Sequence, residues 1–278
     1  MDLIDTHQHL WDIERFPYSW CAAVPALNRS FRLSDYAAAS AGLGIAKTVF
    51  VECDVDEPNA LEEARMIQEI ADRHPSIAGI VASGRPERGG FRAHLEQLSR
   101  LPKVRGFRRI LHTQPDGLSR EPLFAENIRL LPEFGYSFDL CVLARQLPIA
   151  IDLVRRCPEV SFILDHCGVP DIKAGAIDPW RSGIAEIAAC PNVSCKVSGL
   201  VAYADRDTWS AGALRPWFEH VVEQFGWDRV VWGGDWPVCT ATATLAQWVE
   251  ATRELTRNAG EPERAKLFKV NAERIYRV

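Results

Sequence analysis

The chain has 278 residues, enough for one large domain or two modest ones. Hydrophobic residues make up 47% of the sequence and charged residues 25%, which is typical of a globular protein in water. The 32 Lys and Arg residues against 37 Asp and Glu give a net charge of −5, so no positive excess favours nucleic acid or an anionic membrane as a partner. No apolar run approaches the roughly 20 residues of a membrane span.

The first residues and the cysteines predict a cytoplasmic protein. Asp2 and Asp5 stand where a signal peptide would carry Lys or Arg. The eight cysteines are scattered, without a CxxC pair, and in a reducing compartment they are most simply small buried hydrophobic residues. The sequence leaves the oligomeric state, including a homo-oligomer, open.

Apolar runs rich in strand-forming residues alternate with amphipathic runs along the whole chain. The predicted strands are residues 3–7, 47–52, 77–82, 104–109, 137–141, 161–166, 193–198 and 230–234. They are nearly continuous in hydrophobic residues, as expected of strands covered on both faces. The predicted helices are residues 59–73, 90–99, 123–134, 146–157, 180–190, 213–225 and 245–258, and a last helix has Pro262 in its first turn.

This alternation predicts a single-domain (β/α)8 barrel over residues 1–278. A doubly wound sheet is the competing fold, but it would carry a Gly-rich loop after its first strand, where this chain has His9, Leu10 and Trp11. The first connection, from about residue 10 to 34, is long and aromatic. It is expected to form either a pocket wall or a packed cap without a ligand role.

Two histidines, His7 and His9, end the first strand at i, i+2 spacing. Alternate strand residues point to one face, so their side chains project together, roughly 7 Å apart along the strand. Two such imidazoles can bind one metal ion or polarise a substrate oxygen. The alternative is a buried pair that is hydrogen-bonded to its neighbours.

Further polar residues fall at the carboxyl ends of later strands, which is the catalytic end of such a barrel. His166 and Asp235 end the sixth and eighth strands, and they are expected to meet His7 and His9. Because adjacent strand residues face opposite ways, we expect His166 to point inward and Asp165 to support it. The alternatives are a histidine buried behind the barrel and an aspartate that caps the turn before Pro237.

The fourth strand ends in Arg108 and Arg109, of which one must face the barrel axis and is placed to hold an oxygen-rich or anionic substrate. The other interpretation is an ion pair to a loop acid. We also expect His112 and Lys196 to contact substrate, because a buried lysine is costly unless it is used or paired.

Several ordered motifs resemble the amidohydrolase superfamily. They are HxH at 7–9, Gly106–His112, Phe138-Asp139-Leu140 with Gln146-Leu147-Pro148, Asp165-His166-Cys167-Gly168-x-Pro170, Cys195-Lys196-x-Ser198-Gly199-Leu200 and Gly234-Asp235-Trp236-Pro237. More narrowly, they resemble the amidohydrolase-2 branch of lactonases and decarboxylases, and within it the sugar lactonases. The resemblance implies a (β/α)8 barrel and hydrolytic or related carbonyl chemistry.

The sequence departs from the binuclear members of that superfamily. Its fourth strand offers Arg108 and Arg109 where those enzymes have a bridging lysine, and its fifth strand ends at Cys141 without a histidine. We therefore expect at most one ion, zinc by preference, at His7, His9, His166 and Asp235, and the lactonase resemblance implies that activity need not depend on it.

The favoured hypothesis is hydrolysis of a sugar-acid lactone, with a small-molecule sugar lactone as the partner. Asp235 would activate water, and His7, His9 and His166 or a metal ion would polarise the carbonyl. One of the two arginines, with His112, Lys196, Tyr203, Trp11 or Trp236, would hold the sugar. The alternatives are a metal-dependent decarboxylase of an unsaturated or aromatic acid, a non-catalytic sensor and a nuclease. A nuclease would require a basic groove, and the sequence shows no sign of one.

Overall fold

The computed structural model describes residues 2–278, and its centre is one sheet of eight parallel strands in sequence order. The strands are β1 Leu3–Gln8, β2 Ile45–Val51, β3 Ile77–Ser83, β4 Val104–Ile110, β5 Ser137–Cys141, β6 Phe162–Leu164, β7 Val193–Val197 and β8 Val230–Trp232. A bridge between Gln8 and Trp236 and the hydrogen bond from Thr6 Oγ1 to Trp232 O (2.7 Å) bring the two edges together. The predicted (β/α)8 barrel is confirmed, and the doubly wound alternative is wrong.

Helices cover the outside of the sheet. They are α1 Leu33–Ser40, α2 Ala60–Arg73, α3 Phe91–Leu98, α4 Pro122–Ile128, α5 Leu147–Arg156, α6 Trp180–Ala188, α7 Ala211–Phe225, α8 Leu245–Leu255, α9 Glu261–Ala265 and α10 Asn271–Tyr276. A π-helical turn, Lys266–Val270, joins α9 to α10. The sequence did not predict α1, because Tyr36 is its one buried residue and an apolar period cannot be recognised from a single position.

Two strands end two residues earlier than predicted, and β2 and β7 end one residue earlier. β6 stops at Leu164, where the turn Asp165–Gly168 begins, and β8 stops at Trp232, before the turn that contains Asp235. His166 (φ 53°) and Asp235 (φ 54°) adopt left-handed conformations, which side chains other than glycine adopt rarely. Such outliers are common at functional sites, and here they turn both side chains back over the barrel.

The long first connection folds into a compact wall. Trp11 pairs with Phe31 across its base, and Trp11 Nε1 donates to Arg29 O (2.7 Å). Tyr18 OH donates to the buried Glu63 of α2 (3.0 Å), and Trp20 Nε1 donates to Cys53 O (2.8 Å). These contacts fix the connection to the carboxyl ends of β1 and β2.

The chain ends under the opposite mouth of the barrel. Arg277 donates to the backbone oxygens of Arg105 and Gly135, which precede or begin β4 and β5. Tyr276 is fully buried and packs against aliphatic residues from three different strands: Val49, Val51, Val81 and Ile163. The last helix therefore closes the floor of the barrel. Among residues 2–278, no helix is both long and apolar enough to cross a membrane.

Asp5 joins the two edges of the barrel, and we predict that replacing it lowers the stability of the fold. Its Oδ1 accepts from His7 N (2.9 Å) and Gly234 N (2.7 Å), and its Oδ2 accepts from Tyr36 OH (2.7 Å). Asp5→Ala would leave these buried donors unpaired and should lower the free energy of unfolding in urea by about 3 kcal/mol. Asp5→Asn keeps one carbonyl oxygen and should cost less. The exposed Asp2→Ala is the control, and equal losses for Asp2→Ala and Asp5→Ala would refute this role.

Candidate active site

Three histidines and one aspartate meet at the carboxyl end of the barrel. His7 Nε2 lies 3.8 Å from Asp235 Oδ1, His9 Nε2 lies 3.5 Å from the same oxygen, and His166 Nδ1 lies 3.8 Å from Asp235 Oδ2. The rings of His7 and His9 are 4.8 Å apart, and those of His7 and His166 are 4.5 Å apart. The structure thus brings together all four residues that the sequence singled out.

Glycines on the neighbouring strand ends make room for this cluster. A Cβ at Gly199 would lie 2.6 Å from His166 Nδ1, and one at Gly233 would lie 2.7 Å from His7 Cβ. Ser198, one residue earlier, places its Oγ 2.9 Å from His166 Nδ1. The Ser198-Gly199 and Gly233-Gly234 pairs were therefore the sequence signal for close packing around the imidazoles.

His166 joins the cluster and Asp165 supports it, as expected, but both side chains point into the barrel and not to opposite faces. The strand alternation that predicted opposite faces ends at Leu164, and the left-handed turn at His166 brings both side chains to the same side. Asp165 Oδ2 accepts from Arg108 Nη1 (3.2 Å), and Asp165 Oδ1 lies 2.9 Å from Lys196 Nζ.

A buried charge network lies beneath the histidines. Arg108 Nε donates to Glu52 Oε1 (2.6 Å), and Lys196 Nζ donates to Asp139 Oδ2 (2.6 Å). His7 lies between the two cations: its Nδ1 is 3.1 Å from Lys196 Nζ, and its Nε2 is 3.2 Å from Arg108 Nη1. A neutral imidazole has one lone pair, so one contact is a hydrogen bond and the other a close approach of two donors.

Burial sets the protonation states of the reacting groups. Desolvation raises the pKa of Asp235 to about 6. Burial lowers the pKa of His9 to about 4, holds the pKa of His7 well below its usual range, and also lowers that of His166. At neutral pH the site therefore presents an ionised carboxylate to three neutral imidazoles.

The tautomer of His9 follows from its backbone contact. His9 Nδ1 lies 2.8 Å from Val51 O, which can only accept, so Nδ1 carries the proton and Nε2 carries the lone pair. Nε2 and Asp235 Oδ1 are thus two acceptors 3.5 Å apart. A cation, or a water that donates to both atoms from the cavity side, can bridge this pair of acceptors.

A cavity of about 300 Å³ opens above the cluster. Its polar lining consists of His9, Asp54, Arg108, His112, Thr113, His166, Tyr203 and Asp235. The remaining lining is mostly apolar and consists of Trp11, Trp20, Val24, Leu27, Cys53, Ile110, Cys141, Val238 and Ala241. The first connection thus supplies a pocket wall, one of the two roles considered for it.

Not every residue that the sequence placed in the pocket lines it. Arg108 faces the cavity, whereas Arg109 points to the opposite face of β4 and pairs with Glu87 (2.8 Å), as strand alternation requires. Lys196 lies below the cavity, within the charge network. Trp236 packs edge-on against Phe31 and Tyr36, behind the cavity wall, so its expected contact with substrate is not supported.

The sequence did not reveal every residue of the buried charge network. Glu52 follows β2 and Asp139 lies in the middle of β5, but nothing in the sequence identified them as the partners of Arg108 and Lys196. Tyr276 OH donates to Asp139 Oδ2 (2.8 Å) across 137 positions of sequence, and no motif signalled this contact.

The donor set fits one divalent cation. Ligand atoms of His7, His166 and Asp235 all lie within 4.8 Å of one another, and the buried Asp235 Oδ2 accepts no hydrogen bond from any residue that the structure describes. Four buried carboxylates (Glu52, Asp139, Asp165 and Asp235) face two cations, Arg108 and Lys196. Their net charge is −2 when all are ionised, and either a divalent ion or protons on the carboxylates with raised pKa values can neutralise it.

Comparison with known proteins agrees with the geometry. The Amidohydro_2 model, which describes an amidohydrolase family, matches residues 4–278. The chain is 30% identical to an L-fucono-1,5-lactonase of Burkholderia multivorans, over 98% of this chain and 95% of that protein. It is 29% identical to an L-fucono-1,5-lactonase of Burkholderia ambifaria, over 99% of this chain and 95% of that protein. A zinc-bound amidohydrolase crystal structure from Burkholderia multivorans has a TM-score of 0.90 and 26% identity, over all of both chains.

Lys196 balances two buried carboxylates, and we predict that removing its charge destabilises the protein in a pH-dependent way. Lys196→Met should lower the free energy of unfolding by about 3–5 kcal/mol at pH 8. Burial already raises the pKa of Asp139 to about 6, and without the ammonium this pKa would rise further and the low pKa of Asp165 would rise too, so the loss should shrink as pH falls to 5 and the carboxyls protonate. Urea denaturation at both pH values measures this.

The matched control is Lys173→Met, which removes an exposed lysine 3.7 Å from Asp205. It should change the free energy of unfolding little at either pH. A loss for Lys196→Met that stays constant between pH 5 and 8 would contradict the charge-balance argument.

Proposed function

The chain belongs to the amidohydrolase family, and from that premise we propose that this hydrolase opens the ring of a sugar-acid lactone to give the free aldonic acid. The observation that carries the proposal is Asp235, a carboxylate with an available oxygen that faces three neutral imidazoles at the base of a mostly apolar cavity. The lactonase names of its relatives support an L-fuconolactone-like substrate.

We assign the attacking water to a position on the cavity side where it bridges His9 and Asp235. Water can donate one hydrogen to His9 Nε2 and the other to Asp235 Oδ1, which orients its lone pair toward the cavity. As the oxygen adds to the lactone carbonyl, Asp235 takes the proton. This assignment gives His9 a role toward water rather than toward the carbonyl.

The carbonyl oxygen of the lactone becomes an oxyanion in this step and needs hydrogen-bond donors. We assign this role to Arg108 Nη1 and an N–H of His7 or His166, which lie close to one another and to Asp235. When the tetrahedral intermediate collapses, the ring C–O bond breaks, and Asp235 returns its proton to the departing ring oxygen. The product is an open-chain hydroxy acid, and Asp235 is again ionised.

A zinc-like ion, when bound at His7, His166 and Asp235, would supply Lewis-acid polarisation of the carbonyl. The histidine and carboxylate donors suit zinc, and the zinc-bound relative supports that choice. His7 and His166 would then hold the ion, Arg108 would remain as the donor to the oxyanion, and Asp235 would keep one carboxylate oxygen to accept the proton from water.

The charges of the cavity favour an uncharged ring over a carboxylated one. In the described part of the chain, Arg108 is the one Lys or Arg side chain in the cavity lining, and Glu52 and Asp165 already pair with it. Asp54 adds a carboxylate to the lining, 3.7 Å from Arg85. A substrate carboxylate would therefore meet no unpaired cation, whereas hydroxyl groups can bond to His112 and Tyr203, and the sugar ring can pack on Trp11.

We predict that Asp235→Asn lowers kcat/KM for the preferred lactone by about 10³-fold, because the amide cannot accept the proton from water. In the unmodified enzyme, kcat/KM should fall about tenfold per pH unit below pH 6, where Asp235 becomes protonated. Initial rates of acid release between pH 5 and 8 measure both effects. The exposed Asp207→Asn serves as control, and activity of Asp235→Asn near that of this control would reject Asp235 as the base.

A panel of substrates tests the reaction itself. We expect turnover of neutral aldonolactones, little turnover of lactones that carry a second carboxylate, and no CO₂ release from aromatic acids. Each assay is run with and without a chelator and then with added Zn²⁺. Decarboxylation that is abolished by chelation would replace the proposal with the decarboxylase interpretation, and the absence of any lactone hydrolysis would overturn it.

A further inference from the structure

Tyr276, the last residue of α10, contacts the charge network from the floor of the barrel. Its hydroxyl donates to Asp139 Oδ2 (2.8 Å), and its ring packs against Val49, Val81 and Ile163. The residue is fully buried and lies outside the set of described residues that line the cavity. It therefore cannot touch a substrate bound there, and any effect on the reaction must pass through other side chains.

Asp139 depends on two donors for its orientation. Tyr276 OH and Lys196 Nζ (2.6 Å) both bond to Oδ2, while Oδ1 accepts no hydrogen bond within residues 2–278. A buried carboxylate with few partners is held in place by those it has, because each lost bond leaves charge unsolvated. Without the hydroxyl, the Lys196 ammonium alone would determine how the carboxylate is turned.

Lys196 connects Asp139 to the reacting cluster. Its Nζ donates to Asp139 Oδ2 (2.6 Å), lies within hydrogen-bond distance of His7 Nδ1 (3.1 Å) and forms an ion pair with Asp165 Oδ1 at 2.9 Å. Because an ammonium has a fixed tetrahedral geometry, a shift of Asp139 changes the direction of the bond to His7. The other nitrogen of the His7 ring lies 3.8 Å from Asp235.

We propose that Tyr276 is a positioning residue for the active site and that it acts through Asp139 and Lys196 to fix the His7 ring. The chain of contacts runs from the carboxyl-terminal helix through the barrel interior to the catalytic end. The consequence for catalysis rests on the proposed hydrolase function, whereas the geometric consequence for His7 does not. Small displacements of a reacting group cost rate without weakening the binding of the substrate.

Tyr276→Phe tests this with almost no change in volume. We expect kcat for the preferred lactone to fall about tenfold while KM stays within twofold. The matched control is Tyr136→Phe, which alters another buried tyrosine, packed on Phe134 and not bonded to Asp139. Thermal unfolding of both variants checks that each is folded at the assay temperature.

A spectroscopic measurement separates this inference from the proposed reaction. In protein labelled with ¹⁵N-histidine, the His7 ring nitrogens should shift in Tyr276→Phe and remain unchanged in Tyr136→Phe. An unperturbed His7 spectrum, or a kcat equal to that of the control, would overturn the positioning role. A rise in KM with unchanged kcat would also overturn it. If no lactone is hydrolysed, the spectra alone decide the inference, and the proposed function fails separately.

Discussion

Charge balance inside the barrel is the constraint on which the site depends. Glu52, Asp139, Asp165 and Asp235 are nearly inaccessible to water, and Arg108 and Lys196 stabilise the first three by direct contact. Removing one partner from such a network costs far more than the intact network contributes to stability. Among the described residues, Asp235 is the one of these four carboxylates that forms no ion pair with Arg108 or Lys196, so the same charge balance leaves the proposed base at the cavity floor.

Much of the fold could be predicted because buried parallel strands have a strong sequence pattern. The fifth strand was predicted with both of its ends correct, since Ser137–Cys141 is fully buried and bounded by a turn. The sixth and eighth strands were predicted two residues too long, because hydrophobicity does not report a left-handed turn at His166 or Asp235. Helix α1 was missed because it buries a single side chain.

The parts of the site that follow from the alternation of side chains along one strand were predicted, and the contacts between distant segments were not. Alternation along a strand correctly brought His7 and His9 together and separated Arg108 from Arg109, and it failed for Asp165 and His166, where the strand had already ended. The partners of Lys196 come from β5 and from the turn after β6, and Tyr276 reaches Asp139 from the far end of the chain. Such contacts depend on how distant segments pack together, and no repeating pattern in the sequence reports them.

The first connection shapes the pocket, whereas the residues proposed for proton transfer stand at strand ends. Selection of the substrate and the reaction therefore depend on different segments of the chain. Trp20, Val24 and Leu27 shape the entrance but belong to no strand, and their loop is anchored through Tyr18 and Trp20 rather than through the histidines. Evolution or a designed library could therefore remodel this segment and change the range of molecules admitted, while the residues that we propose for proton transfer stay unchanged. A barrel arranged in this way is a starting point for new specificities at little risk to its chemistry.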